Sequence, residues 1–396
     1  MSREDNSIPN LTPEEATNII AATAACWRVG VPTFWWGVPG EGKSALHKAM
    51  ATAAEAWFCP WILSQRSPED LGFPYEGEME GPGGRMLKVV KRSNPAEFVK
   101  ACLLAEQGKR SLHFFDEVNT PDDSIRKAVM TVLSDRYIGD LDLSDPLIMM
   151  AAAGNPPGQG VGAMDLEPAM ASRFAHFQWG RLPGSWVDRG LTEGWQVPAV
   201  PAWCSDEALA QGRKDMTHKM VAFNRNTGRK WSQQKPVRGC WGWGNSRTFD
   251  WATRALGAAA AMGLSIEQEG LIVDGLLGRG AGVEWCSFRE ATSTLMDPEQ
   301  ALAMKMRGEE VPFPGRGDLV YALVESIVAA VLNHPGGVTG ERWEAAFKVL
   351  FQSEQNADIA VDPGTRLMRH QPCVAGSKKR WPMPKEALNL VALLRD

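Results

Sequence analysis

The chain has 396 residues, 44% hydrophobic and 22% charged, enough for one large or two ordinary domains. That composition excludes a disordered, collagenous or coiled-coil protein. A net charge of −5 argues against a chain whose main affinity is for a polyphosphate backbone.

Thr12-Pro13-Glu14-Glu15 opens the first predicted helix, with Thr12 as cap, Pro13 at the first helical position and Glu15 completing a capping box. Residues 32–37 read as a strand, 42–56 as a helix and 57–63 as a second strand. A helix over 96–107, a strand over 111–118 and a helix over 122–135 follow. Residues 137–145 look like a hairpin turning at Gly139-Asp140. Two more strands are expected over 147–155 and 174–179, the alternation of an α/β domain with a mostly parallel sheet. After about residue 180 the strand signals stop, and 205–224, 246–263, 318–334 and 339–353 have helical spacing. The expected domains are therefore 1–180 as an α/β core, 181–265 as a connector and helical lid, and 266–396 as a helical extension.

Seven scattered cysteines, never in a C-x-x-C pair, read as reduced thiols of a cytoplasmic protein. The polar residues MSREDNSIPN carry no apolar run, so no secretory signal is expected, and the most apolar stretch, 256–264, is too short to span a bilayer. Tryptophan is uneven: of 16, eight lie from Trp179 to Trp251 and none between Trp61 and Trp179. The dense stretch is expected to pack a hinge between core and lid, with partner contact as the alternative.

The strongest chemical signal is Gly37-Val38-Pro39-Gly40-Glu41-Gly42-Lys43-Ser44, continued by Ala45, between a strand and a helix. Its glycines let backbone N–H groups face phosphate oxygens. Lys43 supplies a point charge for the outer phosphates, and the Ser44 hydroxyl is a Mg²⁺ ligand. Seventy-three residues beyond Lys43, the strand His113-Phe114-Phe115 ends in two acids. Asp116 is placed to hold Mg²⁺ and Glu117 to polarise an attacking water. Asn155, at the end of the next strand, is a candidate for contacting a γ-phosphate or the water; alone, Asn155-Pro156 would be a local turn.

Together these segments resemble the AAA+ ATPases, within them the MoxR-like group of the clade with a hairpin before sensor 1, which includes dynein and MCM. GVPGEGKS matches Walker A, FFDEVN (114–119) Walker B, and AAAGNPP (151–157) sensor 1. YIGDLDL (137–143) sits where the clade has its hairpin, and 64–92 where it carries an insert after strand 2. The resemblance implies an α/β P-loop core with a parallel sheet, an all-helical lid and a helical C-terminal extension. It implies ATP and Mg²⁺ as cofactors, a ring, most often hexameric, and a remodelled partner protein, typically one with a von Willebrand factor A domain. It also gives Arg173, in the segment 166–177, the role of a finger reaching a neighbour's γ-phosphate, and Arg247 that of sensor 2 on the lid. Read from their positions alone, both could be surface arginines near helix ends.

Arg126 and Arg136 flank the helix after Asp116-Glu117 and are expected on a solvated face. The six histidines show no metal spacing, so Mg²⁺ is the only metal inferred. The stretch 223–239 carries five basic residues and no acid, which reads as a solvated loop. Two rival functions stand beside the remodelling ATPase: a nucleic-acid-linked motor of the MCM kind, and a slow nucleotide-gated binding module. The net charge and the acidic 137–145 hairpin favour the first over the motor.

Overall fold

The first helix, α1 (Pro13–Arg28), begins where its cap predicts: Thr12 Oγ1 accepts from Glu15 N at 3.1 Å, and the Glu15 carboxylate accepts from Thr12 N at 2.7 Å. The computed structural model describes residues 10–119, 123–159, 163–194, 199–235, 241–352, 357–374 and 376–387. After α1 come β1 (Thr33–Trp36), α2 (Lys43–Ala53) and β2 (Ala56–Ile62). An exposed antiparallel hairpin, β3 (Pro74–Glu80) and β4 (Met86–Arg92), fills the insert region after β2. Then follow α3 (Ala96–Glu106), β5 (Arg110–Asp116) and α4 (Asp123–Asp135). The expected hairpin forms as β6 (Tyr137–Ile138) and β7 (Leu141–Asp142), with Gly139 at φ +56° in the turn. The strands β8 (Ile148–Gly154) and β9 (Ala175–Gln178) flank the short helix α5 (Pro168–Ala171).

Five strands form one sheet in the order β2-β5-β8-β1-β9, all parallel. The chain places β1 between the last two strands rather than beside β2, so the strand order switches at β1. The crossover from β1 runs to β2 at one edge, while that from its neighbour β8 runs to β9 at the other. Where adjacent strands diverge in this way, a crevice opens beyond their carboxyl ends. With the glycine loop between β1 and α2, this order is that of an α/β P-loop AAA+ core.

The alternation of side chains along the strands divides the core into two layers. Phe34, Trp36, Trp61, Phe115, Met150 and Ala152 pack towards α3, α4 and α5. On the opposite face Trp35 meets His47 of α2, and its indole N–H donates to Thr23 of α1 at 3.0 Å. Trp27, Trp36, Trp61 and Trp343 likewise each donate to a buried acceptor, which removes the cost of hiding an indole N–H.

Beyond β9 the named elements among the described residues are all helices: α6 (Gly184–Glu193), α7 (Asp206–Asn226), α8 (Ser246–Ala261), α9 (Ile266–Leu277), α10 (Ala281–Ser293), α11 (Pro298–Met306), α12 (Gly317–Leu332), α13 (Gly340–Leu350) and α14 (Ala357–Arg369). None of the described helices is long and apolar enough to cross a membrane. Two compact units result, residues 1–213 with 231–283, and 214–230 with 284–396. In the first, α8 and α9 pack on α1, and α9 also packs on β9. The second is built around Leu302, Val324, Ile327, Trp343 and Phe347. Its buried Glu325 receives Arg366 through two bonds of 2.6 Å and Arg225 at 2.7 Å, so its charge is matched within the unit.

Candidate functional site

The loop after β1 folds as its glycines dictate. Gly40 has φ +87° and Gly42, the N-cap of α2, φ +74°, a region that L side chains rarely enter. Gly37 is constrained differently: a Cβ there would sit 2.6 Å from Trp179 O. Its N–H donates to Gly154 O at 3.2 Å, tying the loop to the end of β8.

Lys43 opens α2 and is only 8% exposed. Its Nζ donates to Gly37 O at 2.7 Å, Val38 O at 2.9 Å and Asn155 Oδ1 at 3.2 Å. Burial lowers its pKa, and the nearby charges of Asp116, Glu41 and Glu117 counter that. Ser44 Oγ donates to Asp116 Oδ2 at 2.5 Å. Glu117 follows with φ +58°, a strained value for a residue with a side chain, and its N–H donates to Asp116 Oδ1 at 3.0 Å. Lys43 is thus bonded to Asn155 and Ser44 to Asp116, with Glu117 bonded through its backbone to Asp116. Val38, Pro39, Gly40 and Ala45 complete the loop, with Pro39, Gly40 and Ala45 exposed.

Other residues hold this arrangement in place. Glu41 accepts from Leu182 N through its carboxylate at 3.1 Å, and its carbonyl accepts from Trp179 Nε1 at 2.9 Å. Trp179 in turn stacks on Trp35 at 4.5 Å. Beneath α2, the buried His47 donates Nδ1–H to Lys43 O at 2.8 Å, and burial drops its pKa to about 4. Asn119 has no obvious mark in the sequence beyond following the two acids. Its Nδ2 donates to Asn155 O at 2.8 Å and Met164 O at 2.9 Å. Both partners are carbonyls, so the amide nitrogen must face them and Oδ1 is left buried without a donor among the described residues.

Arg173 and Arg247 lie elsewhere in the same unit, and no hydrogen bond joins either to Lys43, Ser44 or Asp116 among the described residues. Arg173 donates Nη1–H to Ala169 O one turn back, while its Nε is buried without a partner. Burial lowers its pKa first and the charge of Arg247 second, with Asp135 opposing. Arg247 is exposed in the first turn of α8, where its N–H bonds the Asn245 cap at 3.0 Å. Arg247 is thus near enough for its charge to act on Arg173, against that of Asp135, and no salt bridge forms at either arginine among the described residues.

Arg136 departs from the expected solvated face. Though the residue as a whole is half-buried, its guanidinium is buried, donates to Gly30 O at 3.1 Å and has its pKa lowered to about 10, chiefly by desolvation. The chain turns at Arg136 itself, φ +57°, which swings the side chain inward. Of the basic stretch 223–239, Arg225 is spent on Glu325 and Lys230 on Glu284 at 2.5 Å, while 236–239 lie outside the described residues. No group of three or more His, Cys, Asp or Glu able to hold a metal occurs among the described residues.

No family model and no curated protein sequence matches the chain. Solved structures resemble it distantly. A candidate ATPase from Cytophaga hutchinsonii aligns at 14% identity and TM-score 0.41, over 65% of this chain and 80% of its own. A full-length MCM homolog from Methanopyrus kandleri aligns at 16% identity and TM-score 0.35, over 71% of this chain and 55% of its own. Likeness at this level carries no weight beside the strand order and the loop geometry.

Proposed function

We propose that the protein binds ATP at the Gly37–Ala45 loop and hydrolyses it to ADP and phosphate with Mg²⁺. The observation that supports this most is the convergence of three strand ends: Lys43 on Asn155 at 3.2 Å and Ser44 on Asp116 at 2.5 Å. A hydroxyl and a carboxylate in direct contact are a hard-oxygen donor pair suited to Mg²⁺, and a Cβ at Gly40 would meet nothing within 4 Å, so the loop is open outward. Mg²⁺ held by Ser44 and Asp116 would neutralise charge on the phosphate oxygens. Lys43 exchanges its loop carbonyls for phosphate oxygens, and Glu117 orients the water and takes its proton. Asn155 holds the far side of the phosphate or that water.

Arg173 and Arg247 act as one cationic pair on the phosphate of a neighbouring copy, in a ring of six as the AAA+ resemblance suggests. The charge of Arg247 acting on Arg173 favours an anion nearby, and the Arg173 guanidinium, held through Nη1 by the Ala169 carbonyl alone among the described residues, is able to turn towards one. The motion driven by hydrolysis remodels a partner protein in the cytoplasm, of the von Willebrand factor A kind by resemblance to the MoxR-like group.

The test is Mg²⁺-dependent ATPase activity and its loss in Glu117→Gln. Turnover should fall by about 10²–10⁴-fold while ATP binding stays intact, as expected for a lost general base. Equal turnover in the variant would remove hydrolysis at this site from consideration.

A further inference from the structure

One buried side chain joins the glycine loop's strand to the turn that carries Arg173. His176 lies in β9, paired in register with Phe34 of β1. Its imidazole crosses to Trp36, the residue before Gly37, and accepts the indole N–H on Nδ1 at 2.9 Å. The other ring nitrogen, Nε2, lies 2.7 Å from Ala171 O, two residues before Arg173. An indole N–H only donates and a carbonyl only accepts, so one protonation state satisfies both bonds: neutral imidazole with its hydrogen on Nε2. Burial keeps the ring in that state by pushing its pKa down to about 4.

His113 makes a useful contrast. It too accepts a tryptophan N–H, from Trp61 at 3.1 Å, but its Nε2 is buried without a partner. A histidine that merely fills core volume looks like His113. His176 has both nitrogens engaged, and what it engages is strand β1 on one side and the arginine-bearing turn on the other. The same residue also bears α9, because a Cβ at Gly275 would stand 2.6 Å from His176 O. Trp241 extends the stack on Trp36, centroids 5.1 Å apart, under Arg279.

We propose that His176 is a positioning residue for Arg173: its neutral imidazole, bonded to Trp36 and to Ala171 O, sets the Arg173 turn relative to the strand that carries the glycine loop. Through it, a shift of one copy's own loop moves the arginine offered to the next copy. This rests on the reading of Arg173 as a group acting across a subunit boundary. The arginine is held by a single backbone bond of its own side chain, so its reach depends on where the turn lies.

The test compares His176→Phe, which keeps a ring of similar size without either hydrogen bond, with His176→Gln, which keeps one donor and one acceptor. Both are assayed in the assembled full chain for kcat and for binding of a fluorescent ATP analogue, alone and combined with Arg173→Ala. His176→Phe should lower kcat by about 10- to 100-fold, the scale of an ångström-sized misplacement. Analogue affinity should stay unchanged, His176→Gln should recover most of the loss, and His176→Phe should add nothing to Arg173→Ala. Should His176→Phe fail to fold, Trp36→Phe, which removes the indole donor together with part of the ring packed on Trp241 and Phe34, takes its place with the same expectation for kcat. Full kcat in the phenylalanine variant, equal loss in both, or a further loss on top of Arg173→Ala would overturn the assignment while leaving the arginine's role standing. If Arg173→Ala itself keeps full kcat, the cross-boundary reading fails, and the assignment falls with it.

Discussion

The cluster around Lys43 and the pair formed by Arg173 and Arg247 are both built from charged groups, yet their electrostatics are opposite. Around Lys43, one cation faces Asp116, Glu117 and Glu41, and its hydrogens are spent on Gly37 O, Val38 O and Asn155 Oδ1. Around Arg173, the charge that most perturbs it is another cation, and one of its donors has nothing to bind. Arg247 is exposed and water screens part of that repulsion, but the partly buried Arg173 carries a desolvation cost that no ion pair offsets among the described residues. A group satisfied in itself can work as soon as it is occupied; a cationic pair lacking an anion is half of a site. That contrast is what motivates the proposal of a reaction centre divided between copies of the chain.

The largest expected effect breaks that comparison directly. Arg173→Ala should lower kcat by about 10³-fold or more, the scale of arginine contributions to phosphoryl transfer. ATP affinity in the same variant should change little, because Lys43 and its partners are untouched. Mixing Arg173→Ala chains with Lys43→Ala chains should restore part of the activity, since some boundaries then pair an intact arginine with an intact loop. Absence of any recovery in mixed assemblies, measured as ATP turnover, would place both halves of the chemistry in one chain.

A smaller effect bears on what lies beneath both groups. His47 under the loop, His176 under the Arg173 turn and His113 between β2 and α3 are buried and neutral, with pKa values lowered to about 4, 4 and 3 by desolvation. Their folded values lie below the unfolded value of 6.5, so the unfolded chain binds more protons between the two, and stability rises with pH across that window. Acidification from pH 6.5 to 5, above the range of ordinary carboxylates, should therefore cost about 1 kcal/mol per pH unit for each histidine. Denaturant titrations followed by tryptophan fluorescence should show uptake approaching three protons on unfolding of this unit. His113→Phe should reduce it by one, as its Nε2 has no partner to lose. A flat stability profile over that range would contradict the burial of these rings.

Much of the loop-side centre is legible in the sequence because it depends on local chain geometry. Gly40 and Gly42 are needed for their φ angles, and Lys43 and Ser44 follow because a helix must start there. The strand-ending acids are equally local. Arg247 could not be placed this way: its nearness to Arg173 depends on how α8 packs in the unit, which no spacing encodes. Helices α6, α9, α10, α11 and α14 also escaped the pattern. In α9 the glycines interrupt the apolar stripe, yet Gly275 is required by the backbone of His176. In α14, Pro363 sits inside the helix, where propensity predicts a break and tertiary packing overrides it. Of the tryptophans of 179–251, three have partners that no spacing in the sequence reveals. Trp179 stacks on Trp35, Trp241 on Trp36, and Trp243 donates to Pro168 O at 3.2 Å, while Trp195 lies outside the described residues.

The smallest expected effect sharpens the claim that the Lys43 cluster is complete in itself, because that completeness depends on an uncharged side chain. Asn119 holds the carbonyls of Asn155 and Met164, so Asn119→Ala leaves two acceptors without their donors and should lower stability by about 1–3 kcal/mol. Gly154→Ala presses from the other side: its Cβ would stand 2.3 Å from Asn119 Oδ1 and 2.7 Å from Phe34 Cζ. Overpacking of that kind costs about 1–3 kcal/mol. The two losses share one contact, so the double variant should be more stable than the sum of the singles predicts, by about 0.5 kcal/mol or more. The clash with Phe34 survives in the double variant, so the recovery is partial. Simple additivity in thermal melts would mean that Asn119 does not press on Gly154, and that the end of β8 carrying Asn155 to Lys43 is held by the backbone ladder alone.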